Sequence, residues 1–223
     1  LLLLFLMVLT LAIGSNRGDV LGVTFISFLA PGLIAMQVIQ QSYSHSSSTF
    51  MIGKIQGNIV DLLYAPLSAA EVTISISLAA ATRSFMIAII SIITFYFIVD
   101  IQIKHFFLLF LFTFLTSFIL GNVGIISGLW AEKFDHQATI TNFVIVPLSF
   151  LSGTFYSIKS LPNFLQTISE ANPFFYMIDG FRYCFIGQAD GSIKIGIIYL
   201  VVLSILSWLA AYILFKKGYK IKS

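Results

Sequence analysis

Charged residues are scarce in this chain: Lys, Arg, Asp and Glu make up 9% of its 223 residues. Soluble globular domains carry about 25% charged residues, so this shortage excludes a water-soluble globular protein. Hydrophobic residues instead make up 58% of the chain, and the mean hydropathy is +0.99. The apolar runs could supply roughly six membrane-spanning helices of about 20 residues each. The composition therefore predicts an all-α, polytopic membrane protein with a single transmembrane domain over residues 1–223.

Cysteine and catalytic motifs are also nearly absent. The single cysteine, Cys184, excludes an internal disulfide and leaves no second thiol for a metal site. The sequence has no G-x-x-x-x-G-K-[ST] loop for nucleotide phosphates, no H-E-x-x-H and no G-x-S-x-G. The net charge of +3 comes from lysines near the C-terminus, so nucleic acid is not an expected partner. We therefore expect no catalytic, cofactor-binding or metal-binding residues in this chain.

Apolar stretches predict membrane spans at residues 1–13, 23–41, 70–99, 106–130, 139–155 and 194–215. The first is too short to cross about 30 Å of hydrocarbon at 1.5 Å per residue. We interpret it as the truncated end of a first span rather than as the core of a signal peptide. Pro31 and Gly32 interrupt the second stretch and predict a kink or a late helix start.

Lysines after the last span predict the orientation. They are Lys216, Lys217, Lys220 and Lys222. By the positive-inside rule they place the C-terminus in the cytoplasm. With six spans, the N-terminus is expected on the same side.

Residues 42–70 are too polar to be embedded in a membrane throughout. Between residues 50 and 66, apolar side chains recur at helical spacing and polar side chains occupy the other faces. The apolar residues are Phe50, Met51, Ile55, Ile59, Leu62 and Leu63, and the polar ones are Lys54, Gln56, Asn58 and Asp61. This pattern predicts an amphipathic surface helix that ends near Pro66.

One arginine lies in the middle of a predicted span. A guanidinium at the centre of a membrane helix costs about 2.5–3.5 kcal/mol unless partners or water satisfy it. Arg83 therefore either faces a polar pathway or an inter-helix network, or is satisfied by carbonyls and hydroxyls inside the bundle without a role in transport. The sequence leaves both readings open.

Small residues recur in the fourth predicted span, where Gly121, Gly124 and Gly128 lie along one stripe. Such a stripe lets a neighbouring helix approach closely. The neighbour is either a helix of the same subunit or a helix of a second copy.

Residues 156–193 read as neither a clean span nor a plain loop. Asn172 is a good N-cap and Pro173 suits the first helical position, so a helix is predicted to start there. Asp179 and Arg182 are spaced to pair on one face of that helix. A second short helix is predicted at 162–169. Together they form either a helical hairpin dipping into the outer leaflet or an ordinary extracellular loop.

The same region carries a family resemblance. The fifth span ends in Ser152, Gly153, Phe155 and Tyr156. Leu161 and Pro162 lead the first short helix, and the second carries Asn172, Pro173, Tyr176, Asp179 and Arg182. This run resembles the signature of the ABC-2 type permeases, the membrane subunits of type-2 ABC exporters. Within that family the chain looks most similar to the YadH-type bacterial inner-membrane permeases, and the resemblance covers nearly its whole length.

The resemblance implies a half-transporter of the bacterial inner membrane that hydrolyses nothing itself. Two copies, or two related permeases, would form the pathway for an amphipathic or lipid-like substrate. Two separate ABC ATPase subunits, which bind ATP and magnesium, would dock on the cytoplasmic loop as on a coupling helix. The contact residues carried over are Gln56, Asn58, Asp61, Leu62, Leu63 and Pro66. The hairpin would be re-entrant and would help to close the outer end of the pathway.

Two other functions remain alternatives to an ATP-driven exporter. An ion-gradient-driven secondary transporter would be expected to show ionisable residues at midplane depth and repeated halves. Here a single arginine and no internal repeat are found. A structural membrane anchor for an ATPase complex is the third reading.

Overall fold

The computed structural model describes residues 2–9, 11, 18–99 and 101–219. Apart from one isolated bridge between Val20 and Val23, their regular structure is helical. The α-helices are α1 (Leu2–Leu9), α2 (Phe25–Gln56), α3 (Ile59–Tyr64), α4 (Ala69–Tyr96), α5 (Phe106–Trp130), α6 (Phe134–Ile140), α7 (Val146–Leu151), α8 (Asn163–Ala171), α9 (Pro173–Ile186) and α10 (Ile193–Lys216). The predicted all-α class is confirmed.

Four helices of the described residues are long and apolar enough to cross a membrane: α2, α4, α5 and α10. They correspond to the second, third, fourth and sixth predicted spans. The first and fifth stretches form shorter helices, so the six-span topology stays a prediction. Asp100, Lys220 and Lys222 lie outside the described residues, as do residues 12–17 and the side chain of Leu63.

Helix α2 is longer than the sequence predicts. It begins after Thr24, whose hydroxyl accepts a hydrogen bond from the Ser27 N–H, and continues through Pro31 to Gln56 instead of ending at Gln41. Ser42, Ser46 and Ser47 are buried inside the bundle. The Ser42 hydroxyl donates to the Val38 carbonyl at 2.6 Å and bonds to Ser84 Oγ at 2.6 Å. The helix ends only at Gly57, whose φ of +76° favours glycine.

This length corrects the predicted surface helix at 50–66. Phe50 and Met51 are buried core residues of α2, and Gly57 separates them from the short helix α3. The sequence predicted one helix because the apolar residues keep their helical spacing on both sides of Gly57, although the chain breaks there between α2 and α3.

The core of the molecule surrounds α2, which packs against α4, α5 and α9. Its central residues, including Phe28, Leu29, Ile34 and Ile39, are fully buried. Helix α4 begins with a capping box, in which Ser68 and Glu71 exchange side-chain to backbone hydrogen bonds. Helix α10 packs on the outside of α5, α9 and α4.

The fifth predicted span is helical from Phe134 to Leu151, with a π-helical turn at Thr141–Ile145. Pro147 lacks an N–H and its ring crowds the preceding turn, and the wider π turn relieves that crowding. The chain then leaves the helix at Gly153, where φ is +77°. This places the end of the helix four residues before the predicted boundary at residue 155.

Candidate functional site

Three parts of the chain meet around the guanidinium of Arg182, which is 1% exposed. Its Nη2 donates to the Gly153 carbonyl at 2.6 Å and to the Thr154 carbonyl at 3.3 Å. The guanidinium also lies over the ring of Phe28, 3.9 Å from its centroid. Arg182 thus joins α9 to the turn after α7 and to the start of α2.

Helix α2 can approach this turn because residue 32 is glycine. A Cβ on Gly32 would lie 2.7 Å from the Thr154 carbonyl oxygen and 3.0 Å from Arg182 Nη2. The first distance is too short for an alanine because the backbone oxygen cannot move away, and the second is a tight contact. The glycine of the Pro31-Gly32 pair therefore allows α2 to contact this turn. Of the kink or late helix start predicted from the pair, the late start is wrong, because α2 begins before it at Phe25.

Asn172 caps α9, as predicted, and also bonds to the end of α7. Its Oδ1 accepts a hydrogen bond from the Phe174 N–H at 3.1 Å, and Pro173 occupies the first turn of α9. Its Nδ2 donates to Ser152 Oγ at 2.8 Å and to the Leu148 carbonyl at 3.1 Å. The helix start predicted at Asn172 is confirmed, and the same side chain fastens α9 to the end of α7.

Asp179 does not pair with Arg182 as the sequence spacing predicted. Among the described residues, its carboxylate instead accepts the backbone N–H groups of Asp190 at 3.0 Å and Gly191 at 2.9 Å. Burial raises the pKa of Asp179, and the charge of Arg182 and the two backbone donors oppose that rise. The interaction with Arg182 is therefore electrostatic at longer range, without a salt bridge.

Other residues of the predicted hairpin also contact neighbouring elements of the fold. Tyr156 donates its hydroxyl hydrogen bond to the Leu151 carbonyl at 3.2 Å, and burial raises its pKa. The ring of Tyr176 packs on Tyr199 of α10, with 5.2 Å between centroids. Phe155 packs edge-on against Phe150, and Pro162 is the exposed residue before α8. The two short helices of the predicted hairpin are confirmed, and its re-entrant placement stays a prediction.

At the opposite end of α2, the predicted coupling segment forms an exposed ledge. Gln56, Asn58, Asp61 and Pro66 are exposed, whereas Leu62 packs onto the small core cluster around Phe50 and Phe215. Two exposed apolar side chains of α3 escaped the sequence reasoning: Val60 is 47% exposed and Tyr64 is 85% exposed. Val60 and Tyr64 are spaced i, i+4 and face away from the buried Ile59, and this spacing is the sequence signal that could have identified an exposed apolar face.

Comparison with known proteins decides the family. The family model described as "ABC-2 type transporter" matches residues 1–186. The chain belongs to the ABC-2 type transporter family. It is 34% identical over 211 residues to the inner membrane transport permease YadH of Escherichia coli strain K12, covering 95% of this chain and 82% of YadH. YadH of Shigella flexneri matches equally. Nodulation protein J of Rhizobium leguminosarum bv. viciae is 26% identical over 213 residues, with 89% and 79% covered.

Membership confirms the predicted resemblance. The chain is a membrane transport permease subunit of a family whose members associate with ABC ATPase subunits. The similarity to an inner-membrane permease, together with the apolar helices, makes it a bacterial inner-membrane protein. Permease subunits of this family are generally not catalytic.

The glycine stripe of the permease faces its own α2. A Cβ on Gly124 would lie 2.6 Å from the Tyr43 carbonyl oxygen, and one on Gly128 would lie 2.9 Å from the Ser47 carbonyl oxygen. Gly121 lies against Ser46 of α2 and Ala80 of α4. Of the two neighbours that the sequence left open, the structure places a helix of the same chain against this stripe.

Arg83 lies on an exposed surface of α4 beside α2. Its Nη1 lies 3.2 Å from His45 Nδ1, and its Nη2 donates to Gln41 Oε1 at 3.4 Å. The arginine therefore forms an inter-helix polar cluster at the surface of the protomer rather than being enclosed within the bundle. His45 lies beyond residue 41, where the sequence predicted the second span to end, and the extension of α2 brings it to this cluster.

Proposed function

We propose that this permease is the membrane subunit of an ATP-driven exporter, in which two copies form the substrate pathway. Two separate ATPase subunits would dock at the end of the bundle that carries α3 and Lys216. Both chain termini would then be cytoplasmic, and the α8–α9 hairpin would lie at the outer end. ATP and magnesium would bind in the partner subunits.

The observation that carries this proposal is the continuity of α2. Its 32 residues correspond to about 48 Å at 1.5 Å per residue. The C-terminal end of α2 precedes the exposed ledge of α3. Near the N-terminal end, Phe28 packs under the Arg182 guanidinium and Gly32 lies against the Thr154 carbonyl. A single continuous helix thus connects the proposed docking surface at one end of the bundle to the hairpin at the other. A displacement at the ledge would move the contact with the hairpin.

The chemistry of the ledge fits a protein partner. Val60 and Tyr64 present an apolar and aromatic surface next to the exposed carboxylate of Asp61. Exposed aromatic side chains beside charged groups are typical of protein interfaces. Leu62, predicted as a contact residue, would act from behind this surface by holding α3 against the bundle.

A polar face of α2 supports a pathway between two copies. Gln37, Gln40, Gln41, Ser44, His45 and Ser48 are only partly buried or exposed in the protomer. Amides and hydroxyls are unfavourable against lipid tails, so this face would be covered by a second copy or by the substrate. An apolar molecule with a polar head would match a wall in which polar groups alternate with apolar ones.

Co-purification of the full chain from its native membrane tests the proposal. We expect an ATPase subunit in about equal amount with the wild type, and its loss with the double variant Val60→Ala and Tyr64→Ala. Phe164→Ala is the matched control, because Phe164 is an exposed aromatic residue at the opposite end. Absence of an ATPase subunit from the wild-type complex, together with transport that collapses with the proton gradient, would instead support the secondary transporter.

A further inference from the structure

The Arg83 cluster has unused hydrogen-bonding capacity. A guanidinium has five N–H donors in a planar fork. His45 and Gln41 each meet one of its terminal nitrogens, and both are uncharged acceptors when the imidazole is neutral. Arg83 is exposed in the protomer, so its remaining donors are accessible from the α2–α4 surface. The fixed charge of the arginine is therefore not neutralised by its neighbours.

No carboxylate of the described spans can provide that neutralisation. Helices α2, α5 and α10 contain no Asp or Glu, and Glu71 is the single acidic residue of α4. Glu71 precedes Arg83 by about 18 Å of helix and binds the N-cap residue Ser68. A second copy packed through these same four helices would bring no acidic group of theirs to Arg83. An anionic group of another molecule can therefore supply the counter-charge.

The cluster lies near the middle of α4. Arg83 follows Ala69 by 14 residues and precedes Tyr96 by 13, which leaves about 20 Å of helix on either side. A guanidinium without a counter-charge is costly at this depth, so an anionic group of a bound molecule would stabilise it.

The surroundings of Arg83 are amphipathic. Met86 and Ile90 follow it on the same side of α4 and are each 61% exposed. Gln41 and His45 flank it from α2. We propose that Arg83, with His45 and Gln41, binds the phosphate-type oxyanion of an anionic amphiphile whose apolar part runs along Met86 and Ile90.

This inference rests on the proposed function in one respect: the amphiphile is either cargo in the pathway or a resident membrane lipid. A planar guanidinium binds two oxygens of one phosphate at once, whereas an ammonium makes a point contact. Arg83→Lys should therefore retain part of the binding, and Arg83→Gln should lose it. The neutral amide of glutamine also keeps the side chain polar, which limits the disturbance to folding.

Binding of fluorescent phosphatidylglycerol to the full chain in phosphatidylcholine nanodiscs tests the site, with fluorescent phosphatidylcholine as the uncharged probe. We expect the preference for phosphatidylglycerol to fall about tenfold in Arg83→Gln and less in Arg83→Lys, as for the loss of a charge-assisted bidentate contact. Lys133→Gln removes an exposed positive charge before α6 and should leave the preference unchanged. Elution volume and thermal unfolding identify variants that fail to fold.

An unchanged preference in folded Arg83→Gln, or an equal loss in Lys133→Gln, would overturn the proposal. Proteoliposomes containing the ATPase partner then separate the two sources of the oxyanion. ATP-dependent movement of the bound probe to the opposite leaflet identifies it as cargo, and binding without movement identifies a resident lipid. The binding measurement needs no ATPase subunit, so its failure is distinct from failure of the proposed export function.

Discussion

The guanidinium of Arg182 lies over the ring of Phe28 with 3.9 Å between its central carbon and the ring centroid. The same guanidinium donates hydrogen bonds to the Gly153 and Thr154 carbonyls in the turn after α7. One buried cation thus holds the first part of α2, the end of the α6–α7 helical segment and α9 together. Its loss should affect the whole end of the bundle that carries the α8–α9 hairpin.

Arg182→Lys is expected to destabilise the protein although it keeps the charge. Lysine lacks the planar fork that stacks on Phe28 while donating to the carbonyl of Gly153. The cost should be about 1.5–3 kcal/mol, the range for lost hydrogen bonds to a charged group. Thermal unfolding in detergent measures it against Lys159→Gln, an exposed cation of the hairpin region. Equal melting temperatures for the two variants would contradict the buried role.

Gly32→Ala should disrupt the contact between α2 and the turn at Thr154. The new methyl group would lie 2.7 Å from a backbone oxygen that cannot rotate away. Gly53→Ala lies in the same helix and meets nothing closer than 3.8 Å, so its better helix propensity should make it neutral or stabilising by about 0.5–1 kcal/mol. Melting curves that shift equally in both variants would indicate a general effect of glycine replacement in α2.

Gly124→Ala distinguishes packing within the chain from packing between copies. Its Cβ would lie 2.6 Å from the Tyr43 carbonyl oxygen and 2.9 Å from Ser46 Cβ. The variant should therefore unfold at a lower temperature even when detergent dilution has separated the copies. Gly18→Ala, which meets no atom within 4 Å, is the control. A variant that changes only the dissociation of the dimer would restore the inter-subunit reading of the glycine stripe.

The α8–α9 hairpin was the part of the fold that the sequence predicted best, because its signals are local. The cap at Asn172 and the proline at 173 act within the first turn of the helix they start. The partner of Arg182 was missed for the opposite reason. Helical spacing identifies which side chains Arg182 can reach on its own helix, whereas the carbonyl of Gly153 arrives from 29 residues away through tertiary packing.

The polar stretch of α2 could not be assigned from hydropathy. Serine counts as polar on such scales, yet Ser42 satisfies its hydroxyl with Val38 of the same helix and Ser84 of α4. A serine-rich segment can therefore continue a buried helix. The sequence also placed His45 and Arg83 in separate environments, because it gave no measure of how far α2 extends beyond Gln41.

Asp179→Asn should loosen the segment that follows α9. Both carboxylate oxygens of Asp179 accept a backbone N–H, from Asp190 and Gly191. Asparagine offers one oxygen, and its amide N–H would oppose the second donor. We expect faster hydrogen exchange at these two amides, with Glu170→Gln, a change at an exposed carboxylate of α8, as the control. Unchanged protection of these two amides from hydrogen exchange in Asp179→Asn would show that the carboxylate does not hold this segment.

Lys54→Gln should separate binding of the ATPase partner from transmission of its movement. The Lys54 ammonium donates to the carbonyls of Leu129 and Ala131, at 3.2 Å for Ala131, and so ties the end of α2 to the end of α5. The apolar ledge of Val60 and Tyr64 is untouched, so the ATPase subunit should still co-purify. A fluorophore at position 164 of the hairpin should nevertheless report a smaller ATP-dependent change than in the wild type. Lys133→Gln should behave as wild type, since that lysine is an exposed residue before α6. A full response at position 164 in Lys54→Gln would mean that α2 transmits the movement without its connection to α5.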